Sequence, residues 1–237
     1  MSKWIFRSSA PPGSFNVDTR TAAAEKETGR LEAFSDGVFA IAMTLLVLEL
    51  KVPRIAEGNG APSSAALATA LLQQWPGYVS FVTSFLTVLI MWVHHHAIFR
   101  LVRVADTPLL FTNGLLLLFV TVVPFPTAVI AMYLRTPAAV AACAFYAGTF
   151  VLLAISFYLL LMAAFRKTIL LPDVSETAIQ RLRKSYRMGP PLYLLSFGAA
   201  FISPWLCLGI CTALWIFWST TVICADDDRE ALFRKDG

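Results

Sequence analysis

The chain has 237 residues, 57% of them hydrophobic and only 14% charged, with a formal net charge of +4 and a mean hydropathy of +0.68. Ordinary soluble domains carry about 25% charge, whereas between Gly58 and Ala225 the only acids here are Asp106, Asp173 and Glu176. This composition excludes a soluble α/β enzyme, a disordered chain and a secreted disulfide scaffold. It leaves an all-α polytopic membrane protein, because a spanning barrel would read as short alternating strands instead of long apolar blocks.

Taken in chain order, residues 1–29 are polar and broken by Pro11, Pro12 and Gly13. They hold no apolar run of signal-peptide type and read as a disordered cytosolic tail. The first apolar block is Leu31 to Leu50. A short helical segment from Ser64 to Trp75, with Leu67 and Leu71 on one face, precedes a second block from about Tyr78 to Phe99. The third runs from about Pro108 to Leu134 and contains Pro124 and Pro126; the fourth covers Ala138 to Phe165. Pro190 to Cys224 is too long for one crossing of roughly 20 residues, and Ser203-Pro204 splits it in two. Six spans result, filling residues 30–224, with 225–237 as a cytosolic C-terminal tail.

The lysines and arginines test this arrangement. With both termini inside, only Lys51, Arg54 and Arg135 of the 19 fall in outer loops. The positive-inside rule then places both termini in the cytoplasm of a multi-pass protein of the cell membrane. Membrane topology thus accounts for the basic balance, and no nucleic-acid partner is implied. The inner loop before Arg187 reads as an amphipathic helix. Asp173 stands three residues before Glu176 in capping-box spacing. Ile179, Leu182 and Tyr186 share one face, and Arg181, Arg183 and Lys184 the other, as in a helix lying against anionic headgroups. Cys143, Cys207, Cys211 and Cys224 all fall in apolar segments without a metal-type spacing and read as buried thiols.

Ionisable groups inside the apolar blocks are few, and each costs at least ~2.5 kcal/mol in hydrocarbon unless paired. The first span holds Asp36 and, at its outer end beside Lys51, Glu49. The second holds His94, His95 and His96 near its inner end. The two spans run in opposite directions, so Asp36 and the histidines share a depth, and hydrogen bonding between them is geometrically open. Three consecutive helical residues point about 100° apart, so at most two can face one partner. The i, i+4 spacing of helical metal ligands is missing, which weights a metal site below a hydrogen-bond network. On the first span, Ile41, Leu45 and Leu48 fall within a stripe of about 60°, which Phe34 and Gly37 continue inward and Thr44 borders. Asp36 points about 140° away from Ile41. The pattern leaves open whether that stripe faces lipid, a core or a pore.

The segment Arg30-Leu31-Glu32-Ala33-Phe34-Ser35-Asp36 resembles the RxxxFSD motif that opens the first helix of the transmembrane protein 175 family of potassium-permeable channels. Arg30, Phe34, Ser35 and Asp36 match it, and Trp92 with His94, His95 and His96 resembles the end of the second span in prokaryotic members. The resemblance covers residues 30 to 224. It implies a homotetramer in the lipid bilayer around a central pore lined by the first helix, with potassium ions as the permeant species and no cofactor. It also implies a pore constriction at Ile41, Leu45 and Leu48, a selectivity role for Thr44, and a helix-packing network of Ser35 and Asp36 with the tryptophan and histidines of the second span. Glu49 is a candidate for the pore mouth that the motif itself does not identify. A narrow apolar ring closes by dewetting without a charged gate.

Two other readings compete with a passive channel. In one, Asp36 and His94 to His96 relay protons in a proton-coupled transporter, for which the Pro124 and Pro126 break is the only hint of a discontinuous helix. In the other, the histidines serve a membrane metalloenzyme, which lacks the scattered carboxylates such sites use. The non-enzymatic reading is preferred.

Overall fold

The computed structural model describes residues 14–54, 63–166, 168–171 and 176–232, and their side chains except at 14–24, 178 and 222–232. Nine helices form among the described residues: α1 (Ser14–Val47), α2 (Ser64–Gln73), α3 (Trp75–Phe99), α4 (Thr107–Val122), α5 (Pro124–Tyr133), α6 (Ala139–Ala164), α7 (Glu176–Arg187), α8 (Gly189–Ala200) and α9 (Pro204–Leu232). The only β-type pairing among them is one isolated bridge, Val102 to Leu170.

Four stretches are long and apolar enough to cross a membrane: Trp75–Phe99, Thr107–Tyr133, Ala139–Ala164 and Pro204–Thr221. The chain is therefore a membrane protein by length and composition. The remaining two of the six expected spans fall in α1 and α8. In α1, Arg30, Glu32 and Asp36 open the apolar stretch. α8 has 12 residues, about 18 Å at 1.5 Å per residue, against a hydrocarbon core of about 30 Å.

Helix α1 begins at Ser14, so residues 14–29 are helical where a disordered tail was expected; residues 1–13 lie outside the described residues. The run Ala22-Ala23-Ala24-Glu25-Lys26-Glu27 consists of strong helix formers, and a search for apolar blocks passes over it. Further along, α9 continues as helix to Leu232, into the segment assigned to the C-terminal tail. Ser63 caps α2, its side chain accepting from the Ala66 N–H. None of the α2 side chains is buried, and Leu67 and Leu71 are exposed among the described residues.

The third span is one candidate crossing broken in the middle. Pro124 and Pro126 lack the amide hydrogens that would bridge the break. α4 stops at Val122, the Val123 N–H turns to Val120 O (3.2 Å), and α5 restarts. The Ser203-Pro204 break likewise separates α8 from α9, as the sequence predicts.

α6 is the central helix. Its apolar window is 61% buried, against 28–44% for the other three crossings, and it packs on α4, α5, α8 and α9. Polar side chains join the helices where small apolar residues leave room. Ser84 of α3 bonds both Thr127 of α5 (2.8 Å) and Tyr146 of α6 (3.0 Å). Ser196 of α8 reaches Cys211 of α9 (3.0 Å) and the Cys207 carbonyl (3.1 Å). Cys143, Cys207 and Cys211 are buried free thiols; the side chain of Cys224 lies outside the described residues.

At the end where α1 enters, the two loops flanking α4 and α6 are stapled together. Arg103 N–H donates to Ile169 O (2.8 Å) and Leu171 N–H to Leu101 O (3.0 Å). Asp106 caps α4 by accepting from the Leu109 N–H at 3.1 Å, and its other oxygen pairs with Arg166. Thr28 of α1 accepts from the Ala105 N–H at 2.8 Å. The polar start of α1 is thus tied into this end of the bundle.

Candidate pore helix and its anchoring network

Two faces of α1 differ in environment. Ser35, Phe39, Ala42 and Leu46 recur at +4, +3 and +4 and are buried to 0–1% exposure. The other face carries Phe34 (63% exposed), Ile41 (59%), Leu45 (40%) and Leu48 (65%), with Gly37 and Thr44 also exposed between them. The apolar stripe of Ile41, Leu45 and Leu48 is therefore bare in the single chain, while α3, α4 and α5 pack against the opposite side. Thr44 turns its hydroxyl hydrogen to the Ile41 carbonyl (2.8 Å), which leaves the hydroxyl lone pairs on the exposed side.

Polar bonds hold α1 in this rotation. Trp92 Nε1–H donates to Asp36 Oδ1 at 2.8 Å. The Asp36 partner is thus the tryptophan, and none of the three histidines bonds to it among the described residues. Ser35 donates to Leu31 O (2.8 Å) and accepts from Asn113 Nδ2 (2.9 Å). The Asn113 carbonyl in turn accepts from His95 Nε2 (2.8 Å). The partners fix the amide orientation and the imidazole tautomer. A directed chain, His95 to Asn113 to Ser35, consequently runs from α3 through α4 to the buried face of α1.

The three histidines point to three different helices. His95 reaches α4 and α1 as described, wedged between Phe39 and Phe99 with ring centroids 5.3 and 4.3 Å away. His96 meets Glu32 of α1, Nδ1 to Oε1 at 2.8 Å, while its ring stacks on Trp92. The two atoms make no aligned hydrogen bond, so the contact is a close polar approach. His94 turns away from α1. Its Nε2–H donates to the Trp218 carbonyl (3.2 Å), which leaves Nδ1 to accept from the Tyr186 hydroxyl. Burial pushes the Tyr186 phenol well above its ordinary pKa, so it stays protonated and able to donate.

Tyr186 belongs to α7, whose apolar face the sequence places against headgroups. Ile179 and Tyr186 are instead buried against the bundle, and Tyr186 stacks between Phe157 and Trp218. The capping aspartate Asp173 lies outside the described residues. Arg30, the first motif residue, is exposed.

Glu49 is half-buried, 3.7 Å from the mostly exposed Lys51. It borders a groove with Leu45, Leu48, Thr121, Val122, Pro124, Phe125 and Ala128, where the C-terminal end of α1 faces the α4–α5 break. No group of three or more His, Cys, Asp or Glu is arranged to hold a metal among the described residues.

Asp36 and the histidines stand out in the sequence, whereas their neighbours Asn113, Glu32 and Tyr186 do not. Asn113 is the sole asparagine of the apolar blocks, and an uncharged amide at that depth was the signal available. Glu32 occupies an unspecified position of the motif, and Tyr186 was read as facing lipid.

The family profile described as endosomal/lysosomal potassium channel TMEM175 matches residues 30–124, the stretch that holds α1 from Arg30 onward, α3 with the histidines, and Asn113. A potassium channel of Chamaesiphon minutus is 47% identical over 199 residues, which is 84% of this chain and 96% of that protein. The chain belongs to the TMEM175 family. A crystal structure of a lysosomal potassium-selective channel TMEM175 homolog from Chamaesiphon minutus superposes with a TM-score of 0.74 at 46% identity, covering 83% of this chain and 98% of that one. The human endosomal/lysosomal proton channel TMEM175 is 34% identical over 110 residues, 46% of this chain and 22% of that protein.

Proposed function

We propose that this protein is a passive potassium-permeable cation channel in which four copies place α1 around a central pore. The observation that carries the reading is the split of α1: anchored by Ser35 and Asp36 on one side, bare and apolar at Ile41, Leu45 and Leu48 on the other. Pairing Asp36 satisfies a group that is costly in hydrocarbon, and it also fixes which face of α1 points away from the bundle. A ring of four such faces uses that rotation. The relatives named as potassium channels support the permeant ion.

In this reading α1 and α8 complete six spans, both termini lie in the cytoplasm, and the protein resides in the cell membrane. Ile41, Leu45 and Leu48 form stacked apolar rings over about 10 Å at 1.5 Å per residue, and these close by dewetting. Thr44 supplies the one hydroxyl between the rings, and Glu49 raises the cation concentration at the outer mouth. A narrow apolar ring penalises the more tightly hydrated sodium ion more than potassium. The proton-coupled transporter gains less support. Asp36 bonds Trp92, and the histidines diverge to three separate partners instead of forming a relay with it.

The decisive experiment is Ile41→Asn, recorded in planar bilayers with Ala42→Asn as the control. Four amides in the narrowest ring should lower the dewetting barrier, raise conductance and bring the potassium and sodium permeabilities together. Ala42 is buried against the bundle, and its substitution should lower stability without opening the pore. Unchanged conductance and reversal potential in normally assembled Ile41→Asn protein would remove Ile41 from the pore.

A further inference from the structure

The aromatic cluster around His94 encloses a cavity of about 40 Å³ between α3, α6, α7, α8 and α9, whose walls include Met91, Ala154, Tyr158, Tyr186, Trp215 and Trp218. The volume exceeds what one water needs, but a water also needs two to four polar partners, and this lining is almost wholly apolar. One polar atom is left over. Trp215 Nε1 is buried and has no hydrogen-bond partner, and an unmatched donor in apolar surroundings costs free energy until an acceptor arrives. Ile90, Met91, Tyr158 and Trp215 are only half-buried, so they form the mouth. Ile155, Leu159, Ile216 and Phe217 on the same two helices, α6 and α9, are exposed apolar side chains, as a hydrocarbon-facing rim requires.

The roof of the cavity is the α7–α8 elbow. Tyr186 and Gly189 both line the space, and Arg187 lies between them in the chain, exposed, as is Lys184 one turn earlier. Because the apolar face of α7 is spent on the bundle, Lys184 and Arg187 of its other side are left exposed. An apolar cavity with a buried, unmatched hydrogen-bond donor in its wall, lined by Tyr186 of a helix that exposes Lys184 and Arg187, matches an acyl chain, an ester carbonyl and a phosphate.

We propose that this cavity and the basic side of α7 together bind one anionic phospholipid. A segment of acyl chain occupies the cavity, an ester carbonyl accepts from Trp215 Nε1, and Lys184 and Arg187 hold the phosphate. The leaflet is the cytoplasmic one if the orientation above holds. The site itself rests on no property of the pore, so loss of conduction with lipid preference intact would count against the channel reading alone.

The test uses the purified full chain in liposomes containing phosphatidylglycerol or phosphatidylcholine with brominated acyl chains, reading the quenching of tryptophan fluorescence. Brominated phosphatidylglycerol should quench more strongly than brominated phosphatidylcholine at equal mole fraction. Lys184→Gln and Arg187→Gln, both at exposed positions, should each lower that preference roughly five-fold, the effect of one basic residue near an anionic surface. Ala154→Leu fills the cavity and should abolish the excess quenching. Equal quenching by the two lipids in the unmodified protein, or a preference unmoved by the two glutamine variants, would overturn the proposal. So would excess quenching that survives in an Ala154→Leu protein of normal melting temperature.

Discussion

α1 and α6 are both long helices rich in Ala, Leu, Val and Phe, yet they occupy opposite situations. α6 is apolar all round and surrounded on most sides, with Tyr146, Phe150, Leu153 and Leu160 essentially inaccessible. α1 is buried on one face only and carries its apolar stripe bare. Hydrophobicity does not separate a helix that fills a core from one that is left bare along a face. The neighbours do. α6 is anchored as well, its Tyr146 hydroxyl bonding Ser84 of α3 while Thr149 and Ser156 bond back to Phe145 O and Leu152 O, but α4, α5, α8 and α9 cover most of its faces. In α1, Ser35 and Asp36 bond to other helices and set which face is left outside.

The comparison breaks most visibly where packing alone holds the fold. Leu153→Ala in α6 opens a cavity at a fully buried position and should destabilise by about 2–5 kcal/mol, read as a fall in melting temperature in detergent. Leu45→Ala on the bare face should leave the melting temperature of the single chain nearly unchanged and alter conductance instead. Equal losses at both positions would mean that the α1 stripe is packed within the chain.

Asn113→Ala comes next. It strands Ser35 and His95 Nε2 without their buried partner, at about 1–3 kcal/mol. It should also lower the yield of assembled oligomer on size exclusion, since α1 loses its rotational register. Trp92→Phe removes one interhelical hydrogen bond, the one to Asp36. Such bonds in membranes contribute about 0.6 kcal/mol on average and up to about 1.7. A modest drop in melting temperature with selectivity preserved is expected, and altered selectivity in well-folded protein would place Asp36 in the pore.

The smallest effect on stability belongs to Thr44→Val, below about 0.5 kcal/mol for an exposed position. Its hydroxyl bonds only to the preceding turn. A shift of the potassium-to-sodium reversal potential is nonetheless expected, and a Thr44→Val channel of unaltered selectivity would assign discrimination to the apolar rings alone.

Much of this was legible in the residues themselves. Apolar block length and the proline breaks at Pro124 and Pro204 specify the apolar parts of the helices, because hydrocarbon leaves the backbone no other partner than itself. The RxxxFSD segment marks the helix that matters, and helical periodicity already separates Ile41, Leu45 and Leu48 from Asp36. The helical extension of α1 back to Ser14 was legible in its helix formers, but a hydropathy reading passes over it.

Other features depend on where distant segments meet. Nothing in His94-His95-His96 says that the three rings part company to Tyr186, Asn113 and Glu32, since each partner lies on a different helix and only packing brings it near. The same holds for α7: its amphipathic pattern declares an apolar face but not whether lipid or protein covers it, and the elbow at Gly189 folds Tyr186 onto His94. Periodicity is a property of one helix and could be read from the sequence. Partnership is a property of two, and it was decided only when the bundle closed.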